Sequence, residues 1–519
     1  MAAETQTYAG LVVDTLRDAG DRPVLVGEDR SWSGQDALAQ VWRLAAALRD
    51  CTGESQPTVS ILSYNRPQSW LAQVATMASG GRFCWLHPRA SVADHLAVLD
   101  DSAPKLLLID ASFAASVALP LAERFRAAGG LVACLGGAGP GPDLLVLADA
   151  QAKCSETLSC RPDDIGLLCY TGGTTGGPKA VARTHRQWAT VARMIAADFE
   201  IGQGCRFLAA SPLSHVGGTM VLPVLIGGGC VRMLSAPGAE AIAQALLDWQ
   251  AHATLVVPTA LDALVSIVRD RALSLPALRR VYFGGAASTP ARLRTAHEVL
   301  GPVLFQVYGQ AEGFPICVLP PSALDPSLES RWRCCGRPAG DTDMRIGTAE
   351  GGDGVPGEVG ELLARGPQVM TGYWRLEEAS RHALKDGWLH TGDLARLHED
   401  GFVELVGRVR DMIITGGFNV YARDVESALE AHPAVEAAAV FGTPDARWGE
   451  AVTACVVLRT GCLATESQLR EWVRQRKGDY QAPKSIDFVP VLPLTSVGKI
   501  DKRSLIAHAS PTRSKGDGV

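Results

Sequence analysis

Residues 169–185, CYTGGTTGGPKAVARTH, run from an apolar strand pattern into glycines and threonines closed by Pro178 and Lys179. Gly172, Gly173 and Gly176 let backbone amides turn toward one point without a Cβ in the way. Hydroxyls of Thr171, Thr174 and Thr175 add donors, and Lys179 adds charge, so the chemistry this segment suits is the gripping of phosphate. A Walker loop is excluded because no GK[ST] follows at the required spacing. A plain surface turn is the bland alternative, but such turns do not usually combine an upstream buried strand, threonines and a terminal lysine.

Further along the chain stand PLSHVGG (212–218), YFGGAAS (282–288), VYGQAEG (307–313), WLHTGDLARLHEDGFVELVGRVRD (388–411) and PLTSVGKIDK (493–502). They carry a histidine, a glycine pair, a Tyr with a Glu, an Asp with an Arg, and a lysine. Taken singly, each such residue reads as core, cap or surface, so any weight they have is collective.

The elements that would position them are legible as period and punctuation. Short apolar runs rich in β-branched residues recur at 58–62, 106–109, 165–170, 254–258 and 281–283, with helical patterns between several of them. One helix is predicted over about residues 34–50, with Leu38, Val41, Trp42, Ala45 and Leu48 on one face. Dense Gly and Pro in GTAEGGDGVPGEVGELLARGP imply short strands on both sides and a smaller β-rich subdomain. After GFVELVGRVRDMIITGG a separate pattern of helix, strand and helix begins, which places a boundary near Arg410. The expected fold is therefore α/β: an N-terminal domain of layered sheets over 1–409, with a β-rich part at about 340–409, and a small α+β C-terminal domain over 410–519. A polar tail follows Ser510.

Composition bounds the function classes. With 519 residues, 47% hydrophobic, 20% charged and a net charge of −6, the chain reads as an ordinary globular protein of more than one domain. A nucleic-acid partner is disfavoured, membrane insertion is not expected, and the amino terminus lacks a basic-then-apolar leader, so a cytoplasmic location is expected. The 13 cysteines are scattered without a CxxC pair. They read as small buried hydrophobes, with no disulfide framework, metal site or nucleophile among them.

The six motifs, in this order and across most of the chain, resemble the adenylate-forming superfamily of acyl-CoA synthetases, aryl-acid activating enzymes, luciferases and peptide-synthetase adenylation domains. The resemblance implies ATP, Mg2+ and coenzyme A as cofactors and a small carboxylic acid as substrate. It implies that Tyr308 stacks on adenine, with Gly285, Ala286 and Ala287 lining the other side of the base. Asp393 is similar to the carboxylate that accepts both ribose hydroxyls, aided by Arg408, and Glu312 to the ligand of Mg2+ beside the α-phosphate. Lys499 looks like the mobile catalytic lysine, and Arg410 stands at the hinge where the family usually has Asp or Lys. Gly416 and Gly417 would line the path of a pantetheine thiol once the C-terminal domain has rotated. His215 matches a position at the carboxylate end of an acyl pocket that also takes in Val216, Gly217, Gly218, Gly284, Gly309 and Gln310.

Two departures bear on rate and substrate. Gly172 stands where a serine is common and Ala311 where a threonine is usual. One lost hydrogen bond to a charged phosphate costs about 1.5–3 kcal/mol. The aryl-acid branch shows the same pattern, which moves the expected substrate toward aromatic acids. Val216, where siderophore-type enzymes have an asparagine, disfavours an ortho-hydroxybenzoate. Gly217, Gly218 and Thr219 imply room for a bulky aromatic, alicyclic or medium-chain acid. The expected activity is acyl-CoA ligase. Loading of a carrier protein, a protein keeping only the thioester-forming half-reaction, and a luciferase-like oxygenase stay open as alternatives.

Overall fold

The computed structural model describes residues 6–113, 115–151, 154–171, 178–235, 237–286, 288–348, 352–445, 447–495 and 500–509. The chain is mixed α/β, with a large N-terminal domain and a smaller C-terminal one. The helix read from the apolar stripe spans Gly34–Thr52; its start is set by a capping box between Ser33 and Asp36, and its end by Gly53 at φ 69°. Val41, Trp42, Ala45 and Leu48 are buried on it.

The five apolar runs all form strands. Val59–Leu62, Phe83–Leu86 and Leu106–Asp110 are buried at every residue, as strands covered on both faces must be. They belong to a six-stranded sheet whose last two strands, Ile165–Thr171 and Lys179–Thr184, pair antiparallel with Thr171 opposite Lys179. The glycine- and threonine-rich segment thus has a strand on each side. The sequence reading expected only the first, because a short return strand gives too few alternations to register.

The second sheet has 14 strands. Its parallel half includes Arg206–Ala209, Ala253–Val256, Arg280–Gly284 and Leu304–Gln310. The chain then reverses into the antiparallel strand Gly313–Leu319. Cys334–Pro338 pairs with that strand on one side and with Val403–Arg408 on the other. The Gly- and Pro-rich region therefore extends the edge of the large sheet through Trp388–Leu397, Val359–Arg365 and Asp343–Gly347. Periodicity cannot show such continuity, because it follows from which edge is left unpaired.

From Met412 onward the chain builds a five-stranded sheet with its own core of Ile413, Val425, Leu429, Val440, Val452, Leu469 and Ile486. Two arginines tie it to the rest. Arg423 donates to the carbonyls of Leu405 (2.9 Å) and Ser288 (3.4 Å). Arg292, on the helix Pro290–Leu300, donates to Asp262 (3.1 Å) and to the Glu436 carbonyl (3.0 Å), and lies 3.8 Å from Glu430.

Burial pushes Glu430 up to about 7, with Arg292 opposing it. The folded chain then holds a proton that the unfolded chain releases near pH 4.5, so stability from this group is full below that pH and is lost as pH rises toward 7. Asp262 is raised by burial in the same direction. We expect Glu430→Gln to flatten the fall in melting temperature between about pH 5 and 7.5 relative to wild type. Parallel thermal melts across that range would check it; parallel curves would refute it.

The 13 cysteines are free thiols, and Cys84, Cys134, Cys205, Cys317, Cys334, Cys335 and Cys455 are buried. Burial pushes Cys84 and Cys334 up to about 12, which keeps them protonated and inert. No helix among the described residues is long and apolar enough to cross a membrane.

Candidate active site

The tight turn from Leu304–Gln310 into Gly313–Leu319 puts Tyr308 and Glu312 at the same end of two interior strands. Gly309 is needed there because a Cβ would lie 2.8 Å from the Gly313 carbonyl oxygen. The antiparallel extension brings Asp393 onto this strand end. Tyr308 is buried, and its Oη donates to Asp393 Oδ2 at 2.7 Å. Asp393 and Arg408 are cross-strand partners, with Arg408 Nε 2.9 Å from Asp393 Oδ1. Each carboxylate oxygen has two acceptor sites, so one donor on each leaves both oxygens able to accept another hydroxyl. Burial, then the Asp393 charge, drives the Tyr308 phenol far above its ordinary range, so it acts as a donor at any working pH.

Glu312 is half-buried and accepts from Tyr373 Oη at 2.7 Å through Oε1. The Tyr373 ring also lies 5.6 Å from Lys179 Nζ, and the 372–374 segment clasps the return strand Lys179–Thr184 through Trp374 N to Ala180 O (2.8 Å). One tyrosine therefore links the Glu312 carboxylate to the lysine closing the glycine-threonine segment. A hard carboxylate oxygen such as that of Glu312 is a donor that fits Mg2+, which is held by one or two carboxylates plus substrate phosphates.

Arg183 and Gln368 sit beneath these groups, and both escaped the sequence reading. Arg183 is 2% exposed; its guanidinium donates to the Ala311 carbonyl and, at 2.6 Å, to the Gln368 carbonyl. The Gln368 side chain donates to Pro315 O (3.0 Å) and Thr342 Oγ1 (2.7 Å). Burial lowers the Arg183 pKa, with the Glu312 charge opposing that shift. A buried arginine on the backbone just before Glu312 fixes where that carboxylate stands. The signal available was the arginine of ARTH, a charge directly after the apolar run Ala180–Ala182.

Other expected site residues lie nearby with varied roles. Gly284 is buried, and a Cβ there would meet the Val307 carbonyl at 2.2 Å; Gly285 has φ 80°, and Gly285 and Ala286 are exposed. Gln310 is tied to the Thr391 carbonyl at 3.2 Å. His215 precedes the short helix Val216–Thr219, and Val216 packs against the main core. A Cβ on Gly217 or Gly218 would strike the Ser211 or Leu213 carbonyl at 2.5 or 2.2 Å. These glycines therefore serve close backbone packing, and the roominess expected from them does not follow.

Gly416 and Gly417, with φ 59° and 84°, form the two-residue turn between Met412–Thr415 and Phe418–Tyr421, as a primed hairpin turn requires. Arg410 is exposed in the link before that hairpin, 3.5 Å from Asp411. Gly172, Gly173, Thr174, Thr175, Gly176, Ala287, Lys499 and the tail beyond Ser510 lie outside the described residues, while the backbone of Thr171 ends the first hairpin strand.

Residues 13–374 match the family of AMP-binding enzymes, and residues 424–499 match the AMP-binding enzyme C-terminal domain. A medium/long-chain-fatty-acid–CoA ligase of Mycobacterium tuberculosis is 38% identical over 96% of this chain and 89% of its own length. A feruloyl-CoA synthase of Amycolatopsis sp is 35% identical over 89% and 91%, and an indoleacetate–CoA ligase of Aromatoleum aromaticum 31% over 92% and 94%. Among solved structures, an amide bond synthetase from Marinactinospora thermotolerans superposes with a TM-score of 0.88 at 32% identity, covering 97% of this chain and 99% of that one. An o-succinylbenzoate CoA synthetase from Bacillus subtilis, in complex with its acyl-adenylate intermediate, gives 0.85 at 26% identity, covering 99% and 100%. The chain belongs to the AMP-binding enzyme family and is an ATP-dependent, AMP-forming ligase.

Proposed function

We propose that the protein is an acyl-CoA ligase acting on an aromatic, alicyclic or other bulky apolar acid. The observation that carries this reading is the meeting, at the end of the Leu304–Gln310 strand, of a ribose-competent Asp393 held by Tyr308 and Arg408 with a Glu312 held by Tyr373. A carboxylate oxygen of the acid attacks the α-phosphorus of ATP, and pyrophosphate leaves. The thiol sulfur of CoA, having lost its proton, then attacks the acyl carbon, and AMP leaves.

Tyr308 stacks on adenine against Gly285, Ala286 and Ala287. Asp393 accepts the ribose hydroxyls, and the 171–179 segment with Lys179 grips the phosphates. Mg2+ bound at Glu312 would offset negative charge at the α-phosphate. His215 meets the carboxylate end of the acid. Residues 1–409 and 410–519 act as two bodies about Arg410, so that Lys499 serves adenylation and Gly416 and Gly417 then line the thiol path. CoA as acceptor is supported by the CoA-ligase relatives, and an aromatic or long apolar acid by the substrates named for them.

A panel of aromatic, alicyclic and fatty acids, assayed for pyrophosphate release with and without CoA and read by mass spectrometry, tests the proposal. An acyl-CoA product supports it. Loading of a carrier protein without acyl-CoA, or transfer to an amine alone, replaces CoA as the acceptor. Lys499→Ala is expected to abolish acid-dependent pyrophosphate exchange while sparing thioester formation from supplied acyl-adenylate; exchange at the wild-type rate would overturn the lysine's role.

Tyr373→Phe removes one hydrogen bond to a carboxylate, worth about 1.5–3 kcal/mol. Burial and the adjacent Glu312 raise the Tyr373 phenol above its ordinary pKa, so it donates throughout the working range. The Mg2+ concentration giving half-maximal exchange should rise roughly tenfold, with the melting temperature little changed. An unaltered Mg2+ dependence would remove Tyr373 from the site.

A further inference from the structure

His215 is held from a different sheet. Asn65, three residues beyond the strand Val59–Leu62, is buried and donates through Nδ2 to the carbonyls of Ala209 (3.2 Å) and Ser211 (2.9 Å), while its Oδ1 accepts from Leu213 N (2.9 Å). Those bonds span 144–148 residues and fix the backbone that leads into His215. His87 directly follows the neighbouring strand Phe83–Leu86. Its ring meets the His215 ring edge to face, with centroids 4.7 Å apart and planes at 82°. His87 Nδ1 accepts the Arg89 N–H at 3.2 Å, which puts the neutral ring's proton on Nε2. Ser214 Oγ lies 3.1 Å from His215 Nδ1, a further constraint on that ring.

We propose that His87 is a positioning residue for adenylation, holding the His215 imidazole in the plane that meets the substrate carboxylate. The inference rests on the reading of His215 as the carboxylate end of the acyl pocket. Two rings in T-shaped contact lock each other's χ2, which is otherwise a broad torsion, so the direction of the His215 nitrogens is set by its neighbour. His87 is suited to this because it stays uncharged. Burial first, then the facing His215, Arg89 and His95, depress its pKa to about 3. A neutral partner leaves the arriving carboxylate without a second counter-ion, so its oxygen keeps its nucleophilicity.

The test is a double-mutant cycle in the full chain, with acid-dependent pyrophosphate exchange measured for His87→Ala, His215→Ala and the double variant, the acid and ATP being varied separately. His87→Ala should lower kcat/KM for the acid about tenfold while leaving KM for ATP within twofold, and the double variant should be no worse than His215→Ala alone. His87→Phe, which keeps a ring edge without a nitrogen, should recover most of the loss, with the pH profile between 6 and 9 unchanged. Additive losses, or an equal change for ATP and acid, overturn the positioning role even if His215→Ala is impaired. An unimpaired His215→Ala overturns the acyl-pocket reading, and the proposal with it. Equal melting temperatures across the variants separate these effects from folding.

Discussion

Replacing Asp393 by alanine should cut kcat/KM for ATP by about 10²–10⁴-fold, because two hydrogen bonds from ribose hydroxyls to an ionised group are worth about 1.5–3 kcal/mol each. The carboxylate also holds Tyr308 at 2.7 Å and Arg408 at 2.9 Å, so its removal frees the proposed adenine platform along with the ribose acceptor. Asp393→Asn keeps the shape and one acceptor oxygen but loses the charge that orients Arg408, and an intermediate loss is expected. Steady-state kinetics with ATP varied at saturating acid measure the effect. A KM for ATP within threefold of wild type in the alanine variant would take Asp393 out of the nucleotide site.

The second large effect is expected where no substrate touches. Arg183→Met fills similar volume but leaves the carbonyls of Ala311 and Gln368 without their donor. An unmet buried polar group costs about 1–3 kcal/mol, so the pair costs about 2–6 kcal/mol, divided between stability and the placing of Glu312. The variant should melt several degrees lower and, at temperatures where it is folded, show exchange reduced by more than tenfold with a raised Mg2+ requirement. Arg183→Lys should recover little, since one ammonium does not reproduce the planar fork that reaches both carbonyls. Wild-type Mg2+ dependence in a folded Arg183→Met would show that the arginine only supports the strand.

Much of the fold was legible because it is written locally. The buried strands appear as apolar runs and the helix Gly34–Thr52 as an apolar stripe. The family resemblance singled out Tyr308 and Glu312 within one heptapeptide and Asp393 and Arg408 on either side of one strand turn, and the structure brings Tyr308, Asp393 and Arg408 into contact. Glycines misled in one place. Gly217 and Gly218 suggested space, but whether an absent side chain opens a pocket or admits a backbone depends on what lies opposite, and there it is the carbonyls of Ser211 and Leu213.

The supporting residues were illegible for a related reason. Arg183 reaches its partners across 128 and 185 residues, Tyr373 reaches Glu312 across 61, and Asn65 reaches Leu213 across 148. By itself, the sequence determined the element types, the α/β class and the order of the chemical motifs, since backbone preference and side-chain periodicity act within a few residues. Only the tertiary structure decided that the Gly- and Pro-rich strands extend the large sheet, that Tyr373 joins Glu312 to Lys179, and that His87 stands against His215. Those pairings depend on which unpaired edges and buried polar groups satisfy one another once the chain has packed, a condition that no local stretch of sequence contains.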